Sequence, residues 1–256
     1  TVYRLVAPRR FEIAFEDINL FGENAIVRPT YLSICNADMR YYLGTRDAKV
    51  LAEKLPMALI HEGVGEVFLD PTGTFKTGDK VVMVPNAPVE KDEFIAENYL
   101  RSSKFCGSSM DGFLQEFVEI SPKRLVKLPD DIDMTVAAFT EIVSVSVHAI
   151  SRFDKIAHAR RNTISVWGDG NLGYITSLFL KYHFPKSKIV VFGTSSDKLA
   201  DFTFADETHL VNEVPDGFTT DHAFECVGGN GSPIAIEQII GLIKPEGTIS
   251  ILGVSE

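Results

Sequence analysis

Hydrophobic positions along this chain follow two rhythms, and the change between them falls near residue 150. Before it, short runs rich in β-branched and aromatic residues alternate with Gly and Pro, which predicts strands at 25–29, 63–69, 80–85 and 113–120. Short, turn-bounded strands of this kind build an irregular antiparallel barrel or sandwich. A longer apolar stretch over 134–150 reads as a helix leading out of that region. Beyond it, strand-like segments at 164–167, 188–192, 208–211, 221–226 and 248–252 interleave with helix-like ones at 171–183, 196–204 and 232–243. Such alternation predicts a parallel sheet wrapped by helices. The expected fold class is therefore α/β in two domains, β-rich over 1–150 and doubly wound over 151–256. The chain begins with Thr1 and stops at Glu256, just after a predicted strand. A six-stranded dinucleotide fold continues past that point, so we expect a fragment with an incomplete second domain.

The junction between the first strand and helix of the second domain carries Gly168-Asp169-Gly170-Asn171-Leu172-Gly173. In a G-x-G-x-x-G turn, the first glycine allows the tight reversal. The second lets backbone amides approach a pyrophosphate, and the third permits close helix–strand packing. The helix start then offers unpaired N–H groups to the phosphates. Glycine-rich turns also arise for structural reasons alone, but the flanking strand and helix supply the context that dinucleotide binding requires. An NAD-binding sheet places Asp or Glu about 20 residues on, to accept the ribose 2′-hydroxyl. Here that count reaches Gly193, followed by Thr194, Ser195, Ser196, Asp197 and Lys198. Without a carboxylate at the strand end, the hydroxyls and Lys198 favour a 2′-phosphate, hence NADPH. Asp197 leaves the alternative of an acid turned toward the ribose.

Candidate metal ligands lie in the first domain. Cys35 and Asp38 sit in Ser-Ile-Cys-Asn-Ala-Asp, and His61 and Glu62 follow further on. Thiolate, imidazole and carboxylate are the donors of tetrahedral Zn²⁺, and three of them with one open position make a Lewis acid. A buried cysteine beside a surface His-Glu pair is the plainer alternative. Glu141 is the sole formal charge between Asp133 and Arg152. A carboxylate in so apolar a stretch calls for a cation, either a metal or a structural Arg or Lys. His148, seven residues on, shares its helical face and is read as a packed histidine.

Composition narrows the partners. A net charge of −10 argues against nucleic-acid backbones and anionic membranes as the main partner. It leaves room for a phosphorylated small molecule held by a local cluster, for which Arg40 and Arg46 are the candidates, unless they are solvated surface charges. Cys35, Cys106 and Cys226 are odd in number and far apart, which predicts a reducing compartment. With no apolar run near the ~20 residues of a membrane span and no basic-then-apolar leader, the expected location is the cytoplasm.

Taken in order, Cys-x-x-Asp at 35–38, His-Glu-x-x-Gly at 61–65, Phe-Lys-Thr-Gly-Asp-Lys-Val at 75–81, Glu-x-x-Ser-Val-x-Val-His-Ala at 141–149 and the glycine turn resemble the zinc-containing medium-chain alcohol and polyol dehydrogenases. That resemblance implies a GroES-like catalytic domain followed by a Rossmann domain. It implies one catalytic zinc on Cys35, His61 and a carboxylate from Glu62 or Glu141, with Asp38 orienting His61. Glu141 matches the Glu that polyol-type members carry where alcohol-type members have a second zinc cysteine.

Within that family, segments 33–47, 55–62 and 221–229 are similar to the ribulose-5-phosphate reductases. Members of that branch use NADPH to make ribitol 5-phosphate for CDP-ribitol and wall teichoic acid in Gram-positive bacteria. The likeness implies zinc-assisted reduction of a sugar phosphate, a homo-oligomer and a cytidylyltransferase as functional partner. Three departures stand out. Between Pro85 and Gly112 Cys106 is alone, so no structural zinc is expected. Ala37 replaces a relay hydroxyl and leaves proton delivery unassigned. Ile60 replaces a glycine, with only local packing expected to change. The alternatives are an NAD-dependent dehydrogenase of a free polyol such as sorbitol or xylitol, and a silent NADPH-binding protein.

Overall fold

The computed structural model describes residues 1–254. Its first unit, Thr1–Glu141, contains β1 (Val2–Ala7), β2 (Arg10–Ala14), β3 (Ala25–Ser33), α1 (Asn36–Leu43), α2 (Ala48–Lys54), β4 (Met57–Ala58), β5 (Glu62–Leu69), β6 (Lys80–Met83), β7 (Asn86–Ala87), β8 (Lys104–Phe105), β9 (Val118–Ile120), β10 (Leu125–Lys127) and α3 (Met134–Ala137). Its main sheet is antiparallel in the order β10-β6-β5-β3-β9, with a smaller sheet β2-β1-β4. Strand periodicity places the core. Val81 and Met83 join Val27, Val67, Phe113 and Ile120 in one buried cluster, while Val82 between them joins Val64, Ala137 and Ala138 in another. β6 is thus covered on both faces. Burying each such side chain contributes roughly 1.5–3 kcal/mol.

The expected strand over 113–120 forms only in its last three residues. The backbone before it pairs irregularly with 58–60: Gly112 donates to the Ala58 carbonyl at 2.7 Å and Phe113 to that of Ile60 at 2.7 Å. The single helix expected over 134–150 is two, α3 and α4 (Thr140–Ile156). The Thr140 hydroxyl donates to the Ala137 carbonyl at 2.6 Å, taking an acceptor that a continuous helix would use itself. Helices α1 and α2 and strands β1 and β2 escaped the sequence reading. Their amphipathicity is weak, and no face of β2 is buried.

The second unit, Ile142–Glu256, divides from the first within the opening turn of α4 rather than at residue 150. It contains β11 (Thr163–Trp167), α5 (Asn171–His183), β12 (Lys188–Gly193), α6 (Ser196–Leu199), β13 (Glu207–Leu210), β14 (His222–Glu225), α7 (Ser232–Leu242) and β15 (Ile249–Ile251). The sheet is parallel throughout, in the order β13-β12-β11-β14-β15. Its strands read as near-continuous apolar runs because helices cover both faces. Ile164, Val166, Ile189, Val191 and Phe224 pack into one layer, Trp167, Val190, Phe192 and Ala223 into the other. α6 stops five residues before its expected end, at Leu199 rather than 204, where the backbone tightens into three-residue turns from Asp201 to Lys198 and Phe202 to Leu199. His148, expected to be packed, is exposed, because α4 turns Ser146, Ile150 and Phe153 inward. Among the described residues no helix is long and apolar enough to cross a membrane.

Asp221 closes this sheet. It is buried, its Oδ2 accepts the Thr163 N–H at 3.0 Å, and its Oδ1 accepts Arg160 Nε and Lys244 Nζ, each at 3.0 Å. Burial pushes its carboxyl up, but the Thr163 amide and the Lys244 ammonium outweigh it and hold it below the usual range. A carboxyl depressed in the folded state stabilises above its unfolded value, about 3.9, and that stabilisation is lost as pH falls through the folded value. Asp221→Asn is therefore expected to cost about 2 kcal/mol at pH 7 and to flatten the acid side of the stability profile below about pH 4. Denaturant midpoints measured from pH 7 to pH 3 check both.

Candidate metal centre and nucleotide-binding loop

Strand register assembles the metal site. β3 ends at Ser33 opposite Glu62, the first residue of β5, so the chain leaving β3 and the chain entering β5 are neighbours. Cys35 lies two residues beyond one strand and His61 one residue before the other. The Cys35 sulfur, a His61 ring nitrogen and a Glu62 carboxylate oxygen all lie within 4.8 Å of one another. His61 and Glu62 are buried. The His61 ring packs against Phe105, 5.2 Å between centroids, and its Nε2 is 3.9 Å from Glu62 Oε1.

Asp38 holds this arrangement through backbone. It is buried, its Oδ2 accepts the Cys35 N–H at 3.0 Å, and its Oδ1 accepts the Ile60 N–H at 2.9 Å. The first bond is half of a capping box, with Cys35 as the N-cap of α1. The His61 Nδ1 stands 3.9 Å from Asp38 Oδ1, beyond hydrogen-bond length. Asp38 therefore fixes the backbone of Cys35 and of the residue before His61 rather than the ring directly. Ile60 has φ +74°, a left-handed conformation that a β-branched residue adopts only under strain. The expectation of a mere packing change at Ile60 is corrected: a glycine suits this position because its backbone is left-handed. No motif revealed this, although the Gly-to-Ile departure was the signal.

Glu141 stands outside the group of three, yet it senses it. Burial, then the charges of Glu62 and Asp38, push its carboxyl up to about 7. Burial likewise raises the Cys35 thiol to about 11, with Glu62, Asp38 and Glu141 adding to the shift and the Ala37 amide opposing it. A thiol, an imidazole and buried acids that disfavour one another's ionisation fit a divalent cation. Cys106 serves elsewhere: it is buried and its sulfur accepts Arg124 Nη2 at 3.1 Å.

Arg40 and Arg46 are brought together at the end of α1. Burial, then the Arg46 charge, lowers Arg40 from its ordinary value. The Arg46 guanidinium carbon lies 4.8 Å from the Tyr41 ring centroid, and its Nε is buried without a hydrogen-bond partner. Paired guanidiniums with an unsatisfied buried donor suit an anion.

The glycine turn follows its expected geometry. Gly168 has φ +130°, a Cβ at Gly173 would lie 2.0 Å from the Gly168 carbonyl oxygen, and a Cβ at Gly170 would meet open space. Gly170 is the N-cap of α5, so Asn171, Leu172 and Gly173 present the helix's first amides toward that space. The turn lies after β11 beside β14, where the strand order reverses. Behind it, the buried Glu225 accepts the N–H groups of Val227 at 2.9 Å, Gly228 at 2.8 Å and Gly253 at 3.2 Å. Sequence reasoning missed Glu225, whose signal was one acid inside an apolar strand. At the end of β12, the Thr194 hydroxyl, expected to face a 2′-phosphate, donates to Asp169 at 3.2 Å. Ser195 caps α6, and Lys198 is exposed one turn on.

The alcohol dehydrogenase GroES-like domain matches residues 22–130. The chain is 56% identical over 255 residues to ribulose-5-phosphate reductase 1 of Staphylococcus aureus, covering 100% of this chain and 75% of that protein. It is 55% identical over 254 residues to the ribulose-5-phosphate reductase of Bacillus spizizenii, covering 99% and 74%. The crystal structure of S. aureus TarJ in complex with NADPH matches with a TM-score of 0.84 at 50% identity, over 99% of this chain and 73% of that one.

Two substitutions test the centre. Asp38→Asn leaves one of two backbone donors facing an amide NH₂. We expect Zn²⁺ affinity to fall about ten- to a hundredfold, read by competition with a chromogenic chelator. Ile60→Gly relieves strain but deletes a side chain buried with Leu5, Tyr41, Met57 and Leu59. The packing loss wins, and unfolding titrations should show a net cost of about 2 kcal/mol.

Proposed function

Because the chain belongs to the ribulose-5-phosphate reductases, a branch of the medium-chain polyol dehydrogenase family, we propose that it reduces the C2 carbonyl of D-ribulose 5-phosphate to D-ribitol 5-phosphate with NADPH. The observation that carries the chemistry is the buried donor set of Cys35, His61 and Glu62. These three would hold one Zn²⁺, with Glu141 facing them as a further carboxylate. When bound, the metal polarises a carbonyl oxygen and the reduced nicotinamide supplies hydride. The residues do the placing. Asp38 fixes the backbone of Cys35 and of Ile60 beside His61, so the donors are set before substrate arrives. Gly168, Asp169, Gly170, Asn171, Leu172 and Gly173 bring amides to the pyrophosphate, and Gly193, Ser195 and Lys198 form the adenosine side. Arg40 and Arg46 take the substrate phosphate, whose two charges relieve the repulsion between the guanidiniums. The product feeds a cytidylyltransferase that makes CDP-ribitol for wall teichoic acid, and the enzyme works in the cytoplasm as a homo-oligomer.

The assay follows nicotinamide absorbance with the full-chain protein, ribulose 5-phosphate and NADPH or NADH, repeated with free ribulose and after chelation. Oxidation of NADPH that needs both the phosphate and the metal is expected. Turnover confined to free polyols with NAD⁺ would sink the sugar-phosphate reading, and silence with every substrate would sink the enzymatic one. Arg46→Ala is expected to raise KM for ribulose 5-phosphate about tenfold with little change in kcat, since the phosphate contact is made equally in ground and transition states.

A further inference from the structure

Asp169 lies between the first two glycines of the turn, yet its carboxylate reaches across to the end of β12. Its Oδ2 accepts the Thr194 N–H at 2.7 Å, the Ser195 N–H at 2.8 Å and the Thr194 hydroxyl at 3.2 Å. Gly193 is buried beside it: a Cβ there would lie 2.6 Å from the Asp169 Cβ and 2.9 Å from Oδ2. The Asp169 side chain and any side chain at 193 therefore exclude each other. An NAD-binding sheet carries its acid at the end of the second strand and points it at the ribose 2′-hydroxyl. In this chain a carboxylate fills that space from the neighbouring turn, and its Oδ2 already takes three donors from the protein. Oδ2 is thereby committed to the protein, and the carboxylate is held against the 194–195 backbone instead of extending from the end of β12 as an NAD-type acid does.

We propose that Asp169 is a positioning residue for a 2′-phosphorylated adenosine. It anchors 193–195, so that the Ser195 hydroxyl and the Lys198 ammonium line the edge receiving the phosphate, and it keeps position 193 bare. Ser195 Oγ accepts the Lys198 N–H at 3.4 Å, which leaves its own hydrogen available to donate. The Asp169 charge does not repel the incoming phosphate strongly, because two amides and a hydroxyl converge on it and the Lys198 charge lies within its field. Dinucleotide choice is then set by a pair, Asp169 with Gly193, rather than by the missing acid at 193 alone. The inference rests on the NADPH reading above and names the residue that enforces it.

The test measures binding, not turnover. Dissociation constants of 2′,5′-ADP and 5′-AMP are determined by calorimetry on the full-chain protein and on Asp169→Ala, Asp169→Asn and Gly193→Ala, with thermal melts to confirm folding. Asp169→Ala should weaken 2′,5′-ADP about tenfold while 5′-AMP moves less than about twofold. Asp169→Asn keeps one acceptor oxygen and should fall between. Gly193→Ala displaces the carboxylate sterically and should reproduce the loss. Combined with Asp169→Ala it should add little further. Unchanged or tighter 2′,5′-ADP binding in the Asp169 variants would overturn the proposal, as would an equal loss for 5′-AMP, which marks a merely structural role. A wild-type protein that does not prefer 2′,5′-ADP over 5′-AMP would instead overturn the NADPH assignment, whatever the variants do.

Discussion

The buried carboxylate of Asp38 is the contact on which the metal centre depends. Its two oxygens join the start of α1 to the segment entering β5, by the Cys35 and Ile60 amides. Register alone brings these segments near each other, but the ladder ends at the Ser33–Glu62 pair and leaves the residues from Cys35 on and up to His61 outside it. Those residues must bend away from the sheet to present Cys35 and His61, and bending strands their backbone donors. A carboxylate, with two acceptor oxygens and no donor of its own, can accept from two such donors at separate positions at once. It also explains how Ile60 tolerates a left-handed backbone: its N–H is taken by Asp38 and its carbonyl by Phe113, so both of its peptide links are held. The strain is maintained by the surrounding bonds and sets the direction in which His61 leaves the chain.

The centre also shows why burial of several acids is informative. Asp38, Glu62 and Glu141 crowd the Cys35 thiol, and the upward shifts of Glu141 and Cys35 record that crowding. Left without a cation, such a group would be costly, since each ionised member raises the expense of the next. Asp38 escapes part of that cost through its two amides. Both of its oxygens are spent on backbone, which marks it as a strut rather than a candidate ligand.

Much of this was legible in the sequence, and the limits have physical causes. The second unit was read element by element, with α5 matching at both ends although α6 stops short, because buried parallel strands and amphipathic helices leave strong periodic signals. In the first unit β3, β5 and β6 were found, whereas α1 and α2 were not. The first is eight residues long with polar residues on most sides, and none of the second is buried. Cys35, His61 and Glu62 could be nominated by residue type. That Glu62 rather than Glu141 falls within the group of three could not, since it turns on a strand register that no local pattern fixes. The role of Asp169 was hidden for the same reason: its partners, Thr194 and Ser195, lie 25 and 26 positions away and meet it only once β11 and β12 pair.

These acids share a logic that sequence motifs do not express. Asp38, Asp169, Asp221 and Glu225 each turn their oxygens toward backbone N–H groups at the end of a strand or the start of a helix. Strand ends at the carboxyl edge of a parallel sheet, and the mouth of a strand pair, are where donors fall outside the ladder and where ligands bind. Satisfying those donors with acids stiffens the loops without filling the space in front of them. That is why Gly170 still faces open space while Glu225 and Asp169 hold the chain around it. An amide in place of such an acid keeps the shape but turns one acceptor into a donor facing a donor. The loops of both units therefore owe their order to carboxylates that need not touch a ligand, and a net charge of −10 says little about the surface a substrate meets.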